Sequence, residues 1–167
     1  MEHEGTPLSF AADFPDRYAN LSKDEREARA IVGSDQCILD GEEFYIRGCI
    51  ELPIRDAEEI FLWGVWARVH EADYDEIAEN WETEGREKRI GPYKARLANS
   101  LSIYPQTLNL ILEIKIQPVG TRPRFFLEDE VHPMTVEKKT GLAREKAEEY
   151  ACLLLKMASR SSSPAAT

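Results

Sequence analysis

A strict alternation of apolar and polar positions runs through residues 44–52. The apolar or small positions of this segment are Phe44, Ile46, Gly48, Ile50 and Leu52. A period of two is typical of a β-strand with one buried face. The apolar run 37–39 precedes this strand, and the turn dipeptide Asp40-Gly41 separates the two. The pattern therefore predicts a β-hairpin.

Residues 60–69 are apolar at nearly every position. One face carries Phe61, Trp63, Val65, Ala67 and Val69, and the other carries Leu62 and Trp66. Because both faces are apolar, the segment is predicted to be a central strand. Alternation over 108–116 and the short apolar run 125–127 predict two more strands.

Helix signals lie before and between these strands. Ser22 and Glu25 have the spacing of a capping box, which predicts a helix to about residue 30. Asp73 is predicted to cap a second helix with an apolar stripe, Tyr74, Ile77, Ala78 and Trp81. The weakly patterned stretch 82–107 holds Tyr93, Leu97 and Leu101, whose spacing indicates a short helix.

The last part of the domain is predicted to be helical. Pro133 fits a first helical position after His132, and Gly141 fits a stop. A final helix presents the stripe Ala147, Tyr150, Ala151, Leu154 and Ala158. This order of elements predicts one α+β domain over 1–160, with two layers: a mainly antiparallel sheet of about five strands and helices packed on one face. Residues 161–167 are predicted to form a disordered tail.

The composition excludes more functions than it identifies. The chain has 167 residues and a formal net charge of -10, and such a surface repels nucleic acid and anionic membranes. We expect neither as a partner, whereas a basic protein would be attracted. Three cysteines at irregular spacing fit a reducing compartment. With no leader-like start and no apolar stretch of membrane-spanning length, we expect a cytoplasmic protein.

The predicted outer face of the hairpin offers weak candidate chemistry. Arg47 could anchor an anion there, although a solvated or cross-strand ion pair with Glu51 is the simpler interpretation. With a two-residue loop, Cys37 and Cys49 would point to opposite sheet faces, and a three-residue loop would reverse this. We interpret both thiols, and that of Cys152, as structural.

Two further features could bind a ligand. An imidazole can change its charge near neutral pH, and His132 stands at a predicted helix start, where backbone amides bind anions, although a simple helix cap is the plainer interpretation. The island Arg86, Lys88, Arg89, Lys94 and Arg96 could hold a phosphate or an acidic partner. Charge runs in loops are usually just solvated. No catalytic set, cofactor motif or metal motif can be assembled, so we lean away from an enzyme.

The chain resembles the bacterial Domain of Unknown Function 2199 family over nearly the whole domain. The resemblance rests on Pro7-Leu8-Ser9-Phe10, Ser34-Asp35-Gln36-Cys37, Asp40-Gly41, Phe44-Tyr45-Ile46-Arg47-Gly48-Cys49, Trp63-Gly64-Val65-Trp66, Tyr104-Pro105, Thr107-Leu108-Asn109-Leu110, Pro118-Val119-Gly120 and His132-Pro133. It implies a family identity without an established activity. Tyr104 and Asn109 of these motifs join Arg47, Trp63, Trp66 and His132 as candidate ligand-binding residues.

One departure from the family pattern concerns metal. Family members usually begin with a Cys-x-x-Cys-Gly element just before the stretch that resembles His3 to Phe10, and this chain lacks both cysteines. The element would suit tetrahedral zinc, with the position of His3 as a further ligand. Either the site is lost here or the true start lies upstream, so we expect no metal or cofactor in the chain as it stands.

Three functional hypotheses follow. The preferred one is a non-catalytic protein-binding module, immunity-like or regulatory, that meets a basic protein. The second is a small-molecule-binding protein or enzyme with a pocket over the central strand, walled by Trp63 or Trp66 and anchored by Arg47 or His132. The third is metal binding, conditional on an upstream Cys-x-x-Cys.

Overall fold

Residues 8–162 are described by a computed structural model, and all structural statements below concern this part of the chain. Its strands are β1 (Ser9–Ala11), β2 (Ala30–Val32), β3 (Gln36–Leu39), β4 (Glu43–Pro53), β5 (Ile60–Val69), β6 (Tyr93–Leu97), β7 (Ile111–Lys115) and β8 (Arg124–Leu127). Its helices are α1 (Asp16–Ala19), α2 (Lys23–Arg29), α3 (Glu71–Glu79), α4 (Pro133–Thr140) and α5 (Arg144–Ser162). A short 3-10 turn covers Arg86–Lys88. His3 lies outside the described residues.

The predicted hairpin is confirmed, but its loop is longer than a two-residue turn. Leu39 pairs with Glu43, so residues 40–42 form the loop. Asp40 and Gly41 both adopt left-handed backbone conformations, with φ of 56° and 65°. Asp tolerates this region better than most residues and glycine adopts it freely, which explains why this dipeptide turns the chain.

The strands close into a barrel, so the predicted two-layer antiparallel sheet is wrong. β5, β6, β7 and β8 follow one another, and β4 joins β8 to β5. β4 and β5 are antiparallel over ten register positions, whereas β8 runs parallel to β4 and pairs through Cys49 and Arg124. β1 extends β5 in parallel, and β3 and β2 extend β4. The sheet is therefore mixed and has eight strands instead of about five.

Gly48 permits this closure. A Cβ atom at Gly48 would lie 2.3 Å from Cε1 of Phe125, a ring carbon on β8. Phe125 is fully buried and fills the barrel at this point. The glycine in the apolar alternation of β4 thus makes room for a side chain from a distant strand, a usual reason for glycine inside a strand.

Two hydrophobic clusters lie on the two faces of the sheet. The interior cluster combines the inward side chains of β4 to β8 with Ile77 of α3, Met134 of α4 and Tyr150 of α5. The outer cluster packs Tyr18 of α1 against the outward face of β4 and β5, where Tyr45, Trp66, Cys37, Leu39 and Ala98 meet. Helices therefore lie on both faces, and the expectation that they cover one face is wrong.

Most predicted helices are present, with different limits for two of them. The capping box of α2 is confirmed, since Ser22 Oγ accepts from the Glu25 amide at 3.1 Å. α3 begins at Glu71 with His70 as its N-cap, so Asp73 lies in the first turn. α5 continues through Ser162, two residues into the predicted tail.

The short helix predicted around Tyr93 and Leu97 is instead β6. Tyr93, Ala95 and Leu97 face the barrel interior, while Lys94 and Arg96 are exposed. Among residues 8–162, no helix combines the length and hydrophobicity that a membrane-spanning segment requires.

Candidate functional site

The six candidate residues from the sequence lie in three separate places. Trp63, Tyr104 and His132 meet at one end of the barrel, where the Tyr104 ring centroid is 5.7 Å from that of Trp63 and 6.1 Å from that of His132. Arg47 and Trp66 are cross-strand neighbours on the outer face. Asn109 precedes β7 and lines a groove on another part of the outer face.

The cluster at the barrel end is a buried hydrogen-bonding network around a carboxylate. Glu137 of α4 accepts from the Tyr104 hydroxyl at 2.7 Å and from the Tyr150 hydroxyl at 2.6 Å. Burial and the neighbouring Glu137 carboxylate raise the pKa of both tyrosines well above the ordinary value. Trp63 is only 2 % exposed, and its indole nitrogen has no hydrogen-bond partner among the described residues. These side chains therefore belong to the hydrophobic core.

His132 acts as the N-cap of α4. Its Nδ1 accepts from the Met134 amide at 3.2 Å, and its Nε2 lies 3.0 Å from the Pro105 carbonyl oxygen. The side chain is 6 % exposed. Both ring nitrogens are therefore occupied, as the plainer interpretation of this histidine predicted.

Arg47 and Trp66 form contacts on the outer face of the sheet. Trp66 is fully buried and its indole nitrogen donates to the Ala12 carbonyl oxygen at 3.0 Å. The Arg47 guanidinium lies 5.7 Å from the Trp66 ring centroid and donates to the Ser34 carbonyl oxygen at 3.2 Å. Glu51 forms its ion pair with Arg124, at 3.1 Å.

The cysteines are separate thiols. The three-residue loop pairs Cys37 with Tyr45, so Cys37 and Cys49 share the outer sheet face. Four strand positions, roughly 13 Å, separate Tyr45 from Cys49, too far for a disulfide. Burial, with a smaller effect of Glu43, raises the pKa of Cys37 to about 11. Within residues 8–162, no group of three or more potential ligands is arranged to hold a metal.

The basic island divides into a structural and an exposed part. Arg86 is 4 % exposed and donates to the carbonyl oxygens of Trp81, Gln117, Pro118 and Thr121. Its guanidinium therefore fastens the β7–β8 connection to the end of α3 and is not available to a ligand. Lys88, in the same 3-10 turn, and Arg89, directly after it, are exposed, whereas Lys94 and Arg96 reach a groove.

This groove lies where β5 ends beside β6 and the start of β7, and its volume is about 490 Å³. Its charged lining is Glu42, Arg68, Glu71, Lys94 and Arg96, and His70 and Asn109 add further polar groups. A volume of this order is typical of small-molecule sites. We call it the β5–β6 groove.

Two arginines stand opposite each other in the β5–β6 groove. The ladder pairs Arg68 of β5 with Arg96 of β6, and like charges directly opposite destabilise a sheet. The nearest carboxylate oxygen to Arg68 belongs to Glu43 and is 3.9 Å from Nη1, beyond hydrogen-bonding distance. Arg96 donates only to the Asn109 carbonyl oxygen, at 3.2 Å. In the described part of the chain, neither guanidinium donates a hydrogen bond to a carboxylate.

Lys94 completes the cationic wall. Its Nζ lies 3.6 Å from Glu128 Oε1, and 71 % of its side chain is exposed. Three cations thus point outward from adjacent strands with many unused donors. This arrangement can bind a phosphate, phosphonate or carboxylate through charge-assisted hydrogen bonds.

A second groove, of about 570 Å³, has its cations already engaged. Arg86 and Arg122 line it. Arg86 is held by the four carbonyl oxygens described above, and Arg122 Nε donates to Asp35 at 2.7 Å. We therefore favour the β5–β6 groove as the functional site.

Sequence reasoning identified Lys94, Arg96 and Asn109 but missed Arg68. Arg68 is the one charged residue within the apolar run 60–69. That exception to the run is a signal that could have marked it. Its proximity to the other two cations depends on the β5–β6 pairing, which the predicted helix at this position had hidden.

Comparisons with known proteins define the family only. Searches of curated proteins and of solved structures gave no match. A family model described as an uncharacterized protein conserved in bacteria matches residues 1–142. The match covers the whole barrel, the β5–β6 groove, and Tyr104, His132 and Glu137, whereas Tyr150 of the buried network lies beyond the matched residues. The chain therefore belongs to the Domain of Unknown Function 2199 family.

Proposed function

We propose that this protein is a non-catalytic binding module that holds an anionic ligand in the β5–β6 groove. The observation that carries the proposal is the direct opposition of Arg68 and Arg96 without a hydrogen-bonded carboxylate on either. Two arginines at directly paired strand positions lower the stability of a sheet, and a bound anion would remove the repulsion.

The composition of the groove also favours binding over catalysis. Its lining holds no serine, threonine or cysteine, and His70 is its only histidine. Ile111, 37 % exposed, adds an apolar surface at the β7 side. The groove therefore suits a small ligand with an anionic group and a short apolar part.

Titration with butylphosphonate, followed by NMR of the backbone amides, tests this proposal. We expect shifts centred on β5 and β6 and a loss of affinity of about tenfold or more in Arg68→Gln and in Arg96→Gln, because each removes charge-assisted donors. Arg89→Gln makes the same charge change on an exposed residue outside the groove and should bind as the wild type does.

The ligand-free stability of the variants separates binding from folding. Arg68→Gln should unfold at a temperature equal to or above that of the wild type, because relief of the repulsion with Arg96 offsets the weak attraction to Glu43. If Arg68→Gln and Arg96→Gln retain wild-type affinity, the groove is not the site.

A second candidate function concerns the acidic surface of α3. Seven of the fourteen residues from 71 to 84 are Asp or Glu, and none is Lys or Arg. None of the seven forms an ion pair with another described residue. We propose this surface as a contact for a basic protein partner, with steered association that weakens steeply as salt is added. Replacing Glu79 and Glu84 with glutamine should reduce the association rate; an unchanged rate would exclude this surface.

A further inference from the structure

A second pair of like charges stands directly opposed on the outer face of the sheet, outside the β5–β6 groove. The ladder pairs Lys115 of β7 with Arg124 of β8, and like charges at directly paired positions weaken a sheet. Arg124 Nε lies 3.1 Å from a Glu51 carboxylate oxygen, and Lys115 Nζ lies 3.9 Å from one of Glu113. Because all four side chains are accessible to solvent, these ion pairs are weak and offset the repulsion only in part.

A third cation, from α4, joins this pair. Nζ of Lys138 lies 4.5 Å from the centroid of the Phe126 ring, and Nζ of Lys115 lies 4.7 Å from the same centroid. One partly buried aromatic ring therefore has two ammonium groups against it. We call Lys115, Arg124 and Lys138 the Phe126 cluster.

Lys138 differs from the other two cations in its surroundings. Lys115 and Arg124 are exposed, whereas Lys138 is half-buried. Its Nζ donates to the Glu51 carbonyl oxygen at 3.0 Å, and among residues 8–162 no carboxylate forms an ion pair with it. The Lys138 ammonium is therefore partly desolvated beside two other positive charges.

These surroundings favour the neutral amine. Burial is the largest effect and lowers the pKa of Lys138; the Glu51 carboxylate opposes this change, and the charges of Arg124 and Lys115 add to it. Only the neutral amine of a lysine is a nucleophile, and desolvation next to another cation is a known way to activate it. The same two cations can hold an anionic reagent beside that amine.

We infer that Lys138 is a site of covalent acylation by small acyl phosphates, with the phosphate group held by Lys115 and Arg124. The Lys138 nitrogen attacks the acyl carbon and forms a C–N bond. The bond from that carbon to the phosphate oxygen breaks, and the phosphate leaves with the electron pair and takes up the proton that the nitrogen loses. The resulting amide is neutral, so the product has one positive charge fewer in the Phe126 cluster.

Two acetyl donors test the phosphate contact and the reactive amine separately. Acetyl phosphate carries the anion, and 4-nitrophenyl acetate is a neutral donor of the same acetyl group. Site-resolved mass spectrometry of the full chain at low salt gives the acetylation rate of Lys138 relative to that of Lys139, the exposed lysine next to it. We expect this ratio to exceed one with acetyl phosphate and to be about fivefold larger than with 4-nitrophenyl acetate, the effect of one exposed ion pair with the phosphate.

Variants assign the phosphate contact. Lys115→Gln and Arg124→Gln should each reduce the difference between the two donors, because each removes a cation that holds the phosphate. Lys88→Gln removes the same charge from an exposed residue of the 3-10 turn, outside the Phe126 cluster, and should keep the fivefold difference. Inorganic phosphate should slow the reaction of Lys138 with acetyl phosphate and leave that with 4-nitrophenyl acetate unchanged.

Three results would overturn the inference. Equal acetylation of Lys138 and Lys139 by acetyl phosphate would show that the surroundings of Lys138 confer no selectivity. An equal ratio with the two donors would show that no phosphate is held beside the amine. A fivefold difference that persists in both Lys115→Gln and Arg124→Gln would place the phosphate elsewhere. None of these results bears on ligand binding in the β5–β6 groove, which contains no residue of the Phe126 cluster.

Discussion

Replacing Glu137 with leucine should destabilise the fold mainly through the two tyrosines that share its carboxylate. Tyr104 and Tyr150 are 7 % and 6 % exposed, and their hydroxyl groups donate to the two oxygens of Glu137. A buried donor without a partner costs roughly 1–3 kcal/mol. Glu137 itself is only partly buried, and leucine recovers part of the loss by packing. We therefore expect the free energy of unfolding to fall by about 2–4 kcal/mol.

A double-mutant cycle distinguishes this cause from simple loss of packing. In the wild type, Tyr104→Phe removes a hydrogen bond to a charged group and should cost about 1.5–3 kcal/mol. In the Glu137→Leu background the Tyr104 hydroxyl has already lost its hydrogen-bond acceptor, so the same change should cost nearly nothing or even stabilise the fold. Urea denaturation followed by tryptophan fluorescence and far-UV circular dichroism gives the free energies of unfolding of the wild type, the two single variants and the double variant.

The result that would refute this reasoning is additivity. If Tyr104→Phe has the same effect in both backgrounds, within about 0.5 kcal/mol, the hydroxyl and the carboxylate are not coupled. Tyr150→Phe provides an independent second cycle through the other oxygen of Glu137. Agreement of both cycles would show that the carboxylate serves the two tyrosines jointly.

Three further predictions concern pH, thiol reactivity and the buried arginine. The raised pKa of Tyr104 and Tyr150 stabilises the fold fully below pH 10, where unfolded tyrosine is still neutral, and this stabilisation is lost as pH rises further. The free energy of unfolding, measured with urea, should therefore decrease less between pH 9 and pH 11 when both tyrosines are phenylalanine. Cys37, with a pKa of about 11, is ionised to roughly one part in a thousand at pH 8, so thiol reagents should label the exposed Cys152 first. Equal labelling rates at the two cysteines would contradict the burial of Cys37. Arg86→Met should cost about 3–5 kcal/mol because four carbonyl oxygens lose their donor, whereas Arg89→Met should be nearly neutral in the same denaturation assay.

The sequence predicted correctly those helices and strands whose own residues show which positions are buried. The alternation of β4 and the two-sided apolar run of β5 gave the correct strands, and the Pro133 and Gly141 signals gave the limits of α4. β6 failed because Tyr93 and Leu97 satisfy both a helical and an extended spacing over only five residues. Pairing with β5 and β7 decides between them, and that information is not local.

Barrel closure could not be predicted for a similar reason. It depends on a parallel contact between β4 and β8, which are separated by about seventy residues. Gly48 was visible as a small residue in an apolar row, but nothing nearby in the sequence identifies Phe125 as the side chain that fills its space. The candidate site was predicted only in part, because Arg68 and Arg96 become neighbours only when β5 pairs with β6, and that pairing is also non-local.

The closed barrel also explains why the aromatic candidate Trp63 is buried. Even an eight-stranded barrel has an interior only just wide enough for side chains or one small ligand, and here five strands enclose Trp63, Phe61, Phe125 and their neighbours without exposure. Ligand space must therefore lie outside the barrel. On that outer surface, a residue that weakens the fold by its position is better evidence of function than an aromatic residue that strengthens it. Arg68 and Arg96 meet this criterion because their opposition has no structural benefit that the described contacts reveal.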